Sequence, residues 1–278
     1  MKVVKELPIS IYNSIKLILT PISVLNSDTK ETLPVIVSLT SIPSRLSTLH
    51  LVIRSLLVQD VRPKKILLWL NDDLKNTIPK KLSRLESTVF EIRYSALNCS
   101  HRKLIHSLKA YPEDSIITCD DDLMYRNNWL SKIYQEHLKH PKAIIGNHTV
   151  HINHDTNDEP QPFKQWRNEF VTKVNPKAFV PIGAWGILYP PHSLSKETTE
   201  KELFLKLAPK ADDLWFKAMA LVKGTLSIQA EELPKDPIPI IGSQKVALKK
   251  DNLGKDKNTE QWQALNNEYH LNKIILER

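Results

Sequence analysis

The chain has 278 residues, 41% of them apolar, which is enough to bury one large α/β core with a C-terminal addition rather than two compact domains. Lys and Arg outnumber Asp and Glu by 39 to 31, and the resulting charge of +8 favours an anionic ligand or surface. The basic residues are scattered, with no Arg-rich arm, zinc-finger spacing or RNP-like aromatic motif, so no nucleic-acid partner is expected. Cys99 and Cys119 are the only cysteines, and they can build neither a disulfide framework nor a zinc site; a reducing cytoplasm is the expected compartment.

Residues 1–32 form a leader. Its apolar part, Ile9 to Leu25, is interrupted by Asn13, Ser14, Lys16 and Pro21, falls short of the roughly 20 apolar residues of a spanning helix and has no small-residue cleavage site after it. Ile11, Ile15, Ile18 and Leu19 share one helical face. The leader is therefore expected to be an amphipathic helix that either packs on the core or makes a peripheral contact with the inner face of a membrane. Leu33 to Thr40 is short, β-branched and apolar, as a strand buried on both faces should be. After a polar turn at Ser41 to Ser44, Leu46, Leu49, Ile53, Leu56 and Leu57 recur at helical spacing, with Pro63 marking the exit. Ile66 to Leu70 completes a β-α-β unit. Pro79 to Leu85 predicts a helix, Val89 to Tyr94 a strand, Arg102 to Lys109 a helix and Ser115 to Cys119 a fourth strand, an alternation that means a doubly wound α/β sheet. Beyond it, Trp129 to His140 reads as a helix and Ala143 to Ile145 as a strand, and the pattern then loosens. Two of the six glycines lie between Val180 and Tyr189, where close approach or unusual φ values are expected.

Asp120, Asp121 and Asp122 follow the fourth strand directly, at a carboxyl edge, where open α/β sheets bind ligands. Three adjacent carboxylates repel one another unless a cation or a donor network neutralises them. Mg²⁺ or Mn²⁺, held by one or two carboxylates and by phosphate oxygens, is the usual solution. Extended geometry predicts that Asp120 and Asp122 point one way and Asp121 the other.

A hydrophobic strand ending in Asp-x-Asp resembles the GT-A glycosyltransferases. Val37-Ser-Leu-Thr-Ser-Ile-Pro-Ser-Arg45, Lys103-Leu-Ile, Tyr111-Pro, Ile116 through Tyr125, and Trp129-Leu are similar more narrowly to bacterial glycosyltransferases of surface-polysaccharide type, over residues 34–220. The resemblance implies a single Rossmann-like GT-A domain at 33–222, with a mostly parallel central sheet flanked by helices, and an extension at 223–278 that completes the acceptor side. It further implies a metal-bridged nucleoside diphosphate sugar, with a uridine diphosphate sugar as expected donor and a glycan or lipid-linked acceptor. Asp122 is then the expected metal ligand, and Asp120 lies near the ribose or donor sugar and can share the metal. Asp121 belongs to the same nucleotide-binding cluster.

Thr40, Ser41 and Arg45 fall where the resemblance puts the nucleotide, and a guanidinium fork suits a phosphate or a base edge. Lys103 faces the same edge and is read either as a contact to base or diphosphate or as a solvated lysine. Asp212 and Asp213 open a helix, where acids also cap and compensate the dipole. The resemblance gives this pair a catalytic role, with Asp213 preferred over Asp212 as the base that takes the acceptor hydroxyl's proton in an inverting transfer; a retaining transfer would need no such base. Gly183, Trp185 and Gly186 form either a floor for a sugar or a core turn. His101 and His106 read as structural, and His148, His151 and His154 as loop histidines rather than a zinc site. Two rivals stay open: a phosphohydrolase of the haloacid dehalogenase kind using Asp120 and Asp122, and a non-catalytic nucleotide-sugar binder.

Overall fold

The apolar run after the leader becomes the centre of a seven-stranded sheet. The computed structural model describes residues 2–27, 29–167, 174–243 and 256–277. The leader forms α1 (Lys2–Leu19) and the short α2 (Ile22–Leu25), and the chain then enters β1 (Thr32–Thr40). Two β-α-β crossovers follow: α3 (Leu46–Leu57) leads into β2 (Arg62–Asn71), and α4 (Lys80–Ser83) into β3 (Phe90–Ser95). Next, α5 (Arg102–Ala110) delivers β4 (Ser115–Thr118), which ends at the acidic triplet.

The second half comprises β5 (Leu123–Met124), α6 (Trp129–Lys139), β6 (Ile144–Gly146), β7 (Thr149–His151), β8 (Phe179–Pro181) and β9 (Ile187–Tyr189). It continues through α7 (Lys201–Leu207), α8 (Asp212–Lys223), β10 (Ser227–Gln229) and β11 (Ile238–Pro239), and closes with α9 (Lys257–Tyr269) and α10 (Leu271–Leu276). The sheet order is β10-β6-β9-β4-β1-β2-β3. Its pairings are parallel, except that β9 runs antiparallel between β4 and β6.

Alternation along β1 explains why the run is apolar throughout: Val35, Val37 and Leu39 join one core layer, and Ile36 joins the other. The first layer packs under α3 through Leu49, Ile53 and Leu56. The second holds Leu104 and Ile105 of α5 together with Trp215 and Phe216 of α8. A strand covered by helices on both faces has no polar side to show in its sequence.

The mostly parallel α/β sheet flanked by helices is therefore present as expected, with most helices and strands of the first half within a residue or two of their expected bounds. The segment from Val180 to Tyr189, anticipated only as a glycine-rich close approach, also supplies β9. The stretch after residue 222, anticipated as an extension, contributes the edge strand β10, and α9 and α10 pack against α8. Within that stretch, residues 244–255 lie outside the described residues.

Candidate active site

In the sheet order, β1 is flanked by β2 on one side and β4 on the other, so the direction of winding reverses between β1 and β4. Loops leaving the carboxyl ends of two such strands separate and open a crevice, the usual ligand site of a doubly wound sheet. Ser41 and Arg45 leave β1, and Asp120, Asp121 and Asp122 leave β4, so the sequence motifs meet at this switch point.

The carboxylates do not alternate as an extended strand would require. Regular strand geometry stops at Thr118 and the backbone bends at Asp121 and Asp122. Asp121 and Asp122 consequently share one guanidinium: Arg45 Nη1 bonds Asp121 Oδ1, and Nη2 lies 3.0 Å from Asp122 Oδ2. Asp121 is buried and also accepts from Ser41 Oγ at 2.5 Å. Asp120 pairs instead with Lys103 Nζ, at 3.1 Å. Burial raises the Asp121 pKa, with Arg45 and Ser41 pulling it back. Burial, and then the neighbouring Asp120 charge, pushes Asp122 up to about 6 against the pull of Arg45.

Lys103 is buried, contrary to a solvated-lysine reading. Its ammonium bridges Asp120 and Asp212, each at 3.1 Å, and so joins the end of β4 to the start of α8. Burial opposes its charge, but Asp212, Asp120 and Asp213 outweigh that and hold its pKa well above the ordinary value. Burial also opposes charge on Asp212; Lys103 foremost, with His101 and Ser100 Oγ at 2.8 Å, overcomes this and lowers its pKa. Asp213 goes the other way, because burial and then the adjacent Asp212 raise it to about 7. The first turn of one helix thus holds one carboxyl kept ionised and one poised to exchange a proton near neutrality.

Gly183 donates its N–H to Asp213 Oδ2 at 3.0 Å, and a Cβ there would lie 3.0 Å from Asp213 Oδ1 and 3.3 Å from Lys103 Nζ. Gly186 has φ of +103°, and a Cβ would come within 2.6 Å of the Trp129 indole. Trp185 is half-buried; its ring tilts against His148 at 4.4 Å between centroids, and its carbonyl accepts from Trp129 Nε1 at 2.7 Å. Tyr125 ties this loop to the acidic bend, because its hydroxyl accepts from Asp120 N–H at 2.8 Å and donates to the Ala184 carbonyl at 3.0 Å.

Thr40 faces inward rather than toward the crevice: it donates to the Trp69 carbonyl at 2.7 Å and accepts from Arg102 Nε. Arg102, which sequence reasoning passed over, is buried and also donates to the carbonyls of Ser41, at 2.5 Å, and Leu97, at 2.9 Å. It fixes the loop that presents Ser41 and Arg45, and a single arginine at a helix start gives no sequence signal of that task. His101 is buried, stacks on Phe204 at 4.6 Å and is driven by burial to a pKa of about 4. His106 bonds Ser95 Oγ, His151 pairs with Asn153, and His154 with Asn272, so the structure gives these histidines separate partners.

Among the described residues, no group of three or more His, Cys, Asp or Glu converges as a metal cage. A hard divalent ion needs none when a ligand's phosphate oxygens complete its shell. Asp120 and Asp122, two carboxylates within one turn of chain that interact electrostatically and of which Asp122 is disfavoured as an anion, have the donor chemistry for Mg²⁺ or Mn²⁺ on those terms.

No protein-family model matches this sequence, and neither does any curated protein. Among solved structures the chain is similar to a 4-diphosphocytidyl-2C-methyl-D-erythritol synthase from Anaerococcus prevotii, at 12% identity and a TM-score of 0.45, over 83% of this chain and 96% of that one. It is also similar to a CMP:2-keto-3-deoxy-manno-octonic acid synthetase complexed with CTP, at 11% identity and a TM-score of 0.41, over 73% of this chain and 90% of that one.

Proposed function

We propose that this chain is a divalent-cation-dependent glycosyltransferase that moves a sugar from a nucleoside diphosphate sugar to an acceptor hydroxyl. One observation supports the reading: Lys103 pairs with Asp120 at the end of β4 and with Asp212 at the start of α8, which brings the acidic triplet and the acidic pair together. The switch point between β1 and β4 supplies the place for the nucleotide.

The chemistry then divides among named side chains. Asp213 takes the proton of the acceptor hydroxyl as the acceptor oxygen forms a bond to the anomeric carbon and the bond to the diphosphate breaks, giving inversion. A pKa of about 7 suits a base working near neutral pH. Asp212 and Gly183 N–H set the charge and orientation of Asp213, and Lys103 keeps Asp212 ionised. Asp120 and Asp122 would hold the cation, which when bound neutralises charge on the departing diphosphate. Arg45 organises Asp121 and Asp122 and stands beside the phosphates' expected position. A uridine diphosphate sugar is the proposed donor, and a glycan or lipid-linked glycan in surface-polysaccharide synthesis the proposed acceptor.

A screen of uridine, guanosine and cytidine nucleotide sugars, with and without Mn²⁺, tests this by release of free nucleotide and by thermal stabilisation. The expected result is Mn²⁺-dependent cleavage or stabilisation by one nucleoside diphosphate sugar. Cleavage of simple sugar phosphates with no response to any nucleotide sugar would replace the proposal with phosphohydrolase chemistry.

A further inference from the structure

The helix α1 is mounted with its apolar side outward. Ser10 and Leu17 are buried against the body: Ser10 Oγ donates to the Pro239 carbonyl at 2.6 Å, and Arg54 Nη1 donates to the carbonyls of Leu17 and Thr20, each at 2.8 Å. The opposite side carries Leu7, Ile11, Tyr12, Ile15, Ile18 and Leu19, between 42% and 73% exposed. At 3.6 residues per turn these six side chains occupy an arc of about 140°. A continuous apolar strip left in water on an otherwise ordinary α/β protein marks a contact surface.

Its dimensions select the partner. A 13-residue strip is about 20 Å long and about 10 Å wide, on the order of 200 Å², whereas each partner of a stable protein pair buries roughly 800 Å². An interfacial helix needs no larger area, because its apolar face sinks only about 5–10 Å into the headgroup and acyl boundary. Charge agrees with a lipid surface: residues 7–27 contain no Asp or Glu, Lys16 stands exposed at the edge of the strip, and the whole chain carries +8. Anionic lipid attracts such a surface. No helix among the described residues is long and apolar enough to cross a membrane, so this one would lie in the surface.

We propose that α1 is an interfacial helix that seats the protein on an anionic lipid bilayer. The seat is coupled to the crevice. Ser14 Oγ contacts Met124 Sδ at 3.7 Å in β5, and β5, which follows Asp122, pairs with β11 beneath the helix. Ile240 N–H, just beyond β11, donates to the Asp122 carbonyl at 2.9 Å. The acidic bend therefore sits one layer from the bilayer surface. A lipid-linked acceptor would reach it from that side, a consequence that rests on the proposed function, whereas the seating itself does not.

Co-sedimentation of the full chain with vesicles tests the seating without any nucleotide, so its failure and that of the transferase reading are separable. Vesicles of phosphatidylglycerol and phosphatidylcholine in equal parts should pellet the wild type, and pure phosphatidylcholine should do so at least several-fold less. The triple variant Ile11→Ser, Ile15→Ser, Ile18→Ser changes only exposed positions and should lower partitioning more than tenfold with an unchanged circular dichroism spectrum. Tyr12→Glu alone should lower it several-fold and serves if the triple variant misfolds. The control Leu205→Ser, Val222→Ser, exposed apolar positions elsewhere, should bind as the wild type does. Equal pelleting of wild type and strip variants, or a lipid-free dimer abolished by the triple variant, would overturn the proposal.

Discussion

Replacing Lys103 with Met isolates the charge hub. Methionine keeps most of the side chain's volume and deletes the ammonium that lies 3.1 Å from both Asp120 and Asp212. The side chain of Asp120 is 35% exposed and that of Asp212 only 14%, so water screens the first contact and the second dominates. Removing one partner of a buried pair strands the other charge and costs about 3–5 kcal/mol; release of lysine desolvation places the net near the lower end, about 3 kcal/mol. Against a total stability of roughly 5–15 kcal/mol this is readily measured by urea denaturation as a lower midpoint at constant slope. The pH dependence gives an independent check. In the wild type, Asp212 has a lowered folded pKa, so its contribution is present above its ordinary value of 3.8 and lost as pH falls through the folded value. Lys103 has a raised folded pKa, so its contribution is present below 10.5 and lost as pH rises through the folded value. In Lys103→Met the stranded Asp212 acquires a raised pKa, so the penalty is full at neutral pH and shrinks toward pH 4. Adding Asp212→Asn should recover about 2 kcal/mol of the loss. A cost below about 1 kcal/mol at pH 7, or no recovery in the double variant, would refute the hub as described.

Asp213→Asn should leave donor binding within about twofold and reduce turnover by about 10²–10⁴, checked by calorimetry and product formation; wild-type turnover should fall as pH drops below about 7, the value at which Asp213 takes up its proton. Gly186→Ala sets a Cβ at a φ of +103° against the Trp129 indole and should destabilise by about 1–3 kcal/mol in thermal denaturation. Gly183→Ala intrudes on Asp213 and Lys103 and should lower turnover more than stability, a split read from parallel kinetic and melting curves.

The sequence displayed those parts of the molecule whose physics is local. An apolar run covered by helices on both faces, as β1 is, cannot hide, and the helical spacing of Leu46, Leu49, Ile53 and Leu56 follows from the layer they pack into. The strands β7 through β10 are three residues each, too short for any period to register, and β9 was masked by the glycines that surround it; β6, equally short, showed only as the apolar run Ala143 to Ile145. At the site, residue types were visible but partners were not. Spacing placed Asp120 and Asp122 on one side, whereas the bend at Asp121 hands Asp121 and Asp122 to Arg45 and leaves Asp120 to Lys103. That Lys103 would meet Asp212, more than a hundred positions away, depends on α5 and α8 packing on the same face of the sheet. The inward role of Arg102 is likewise a product of tertiary packing.

Calorimetric titration of uridine diphosphate into the wild type and into Asp122→Ala, each with and without Mn²⁺, tests most directly whether the acidic bend binds a cation–diphosphate pair. If the bend binds that pair, wild-type binding requires Mn²⁺ and Asp122→Ala weakens it at least tenfold, about 1.4 kcal/mol or more. Equal, Mn²⁺-independent affinity of the two proteins would contradict it.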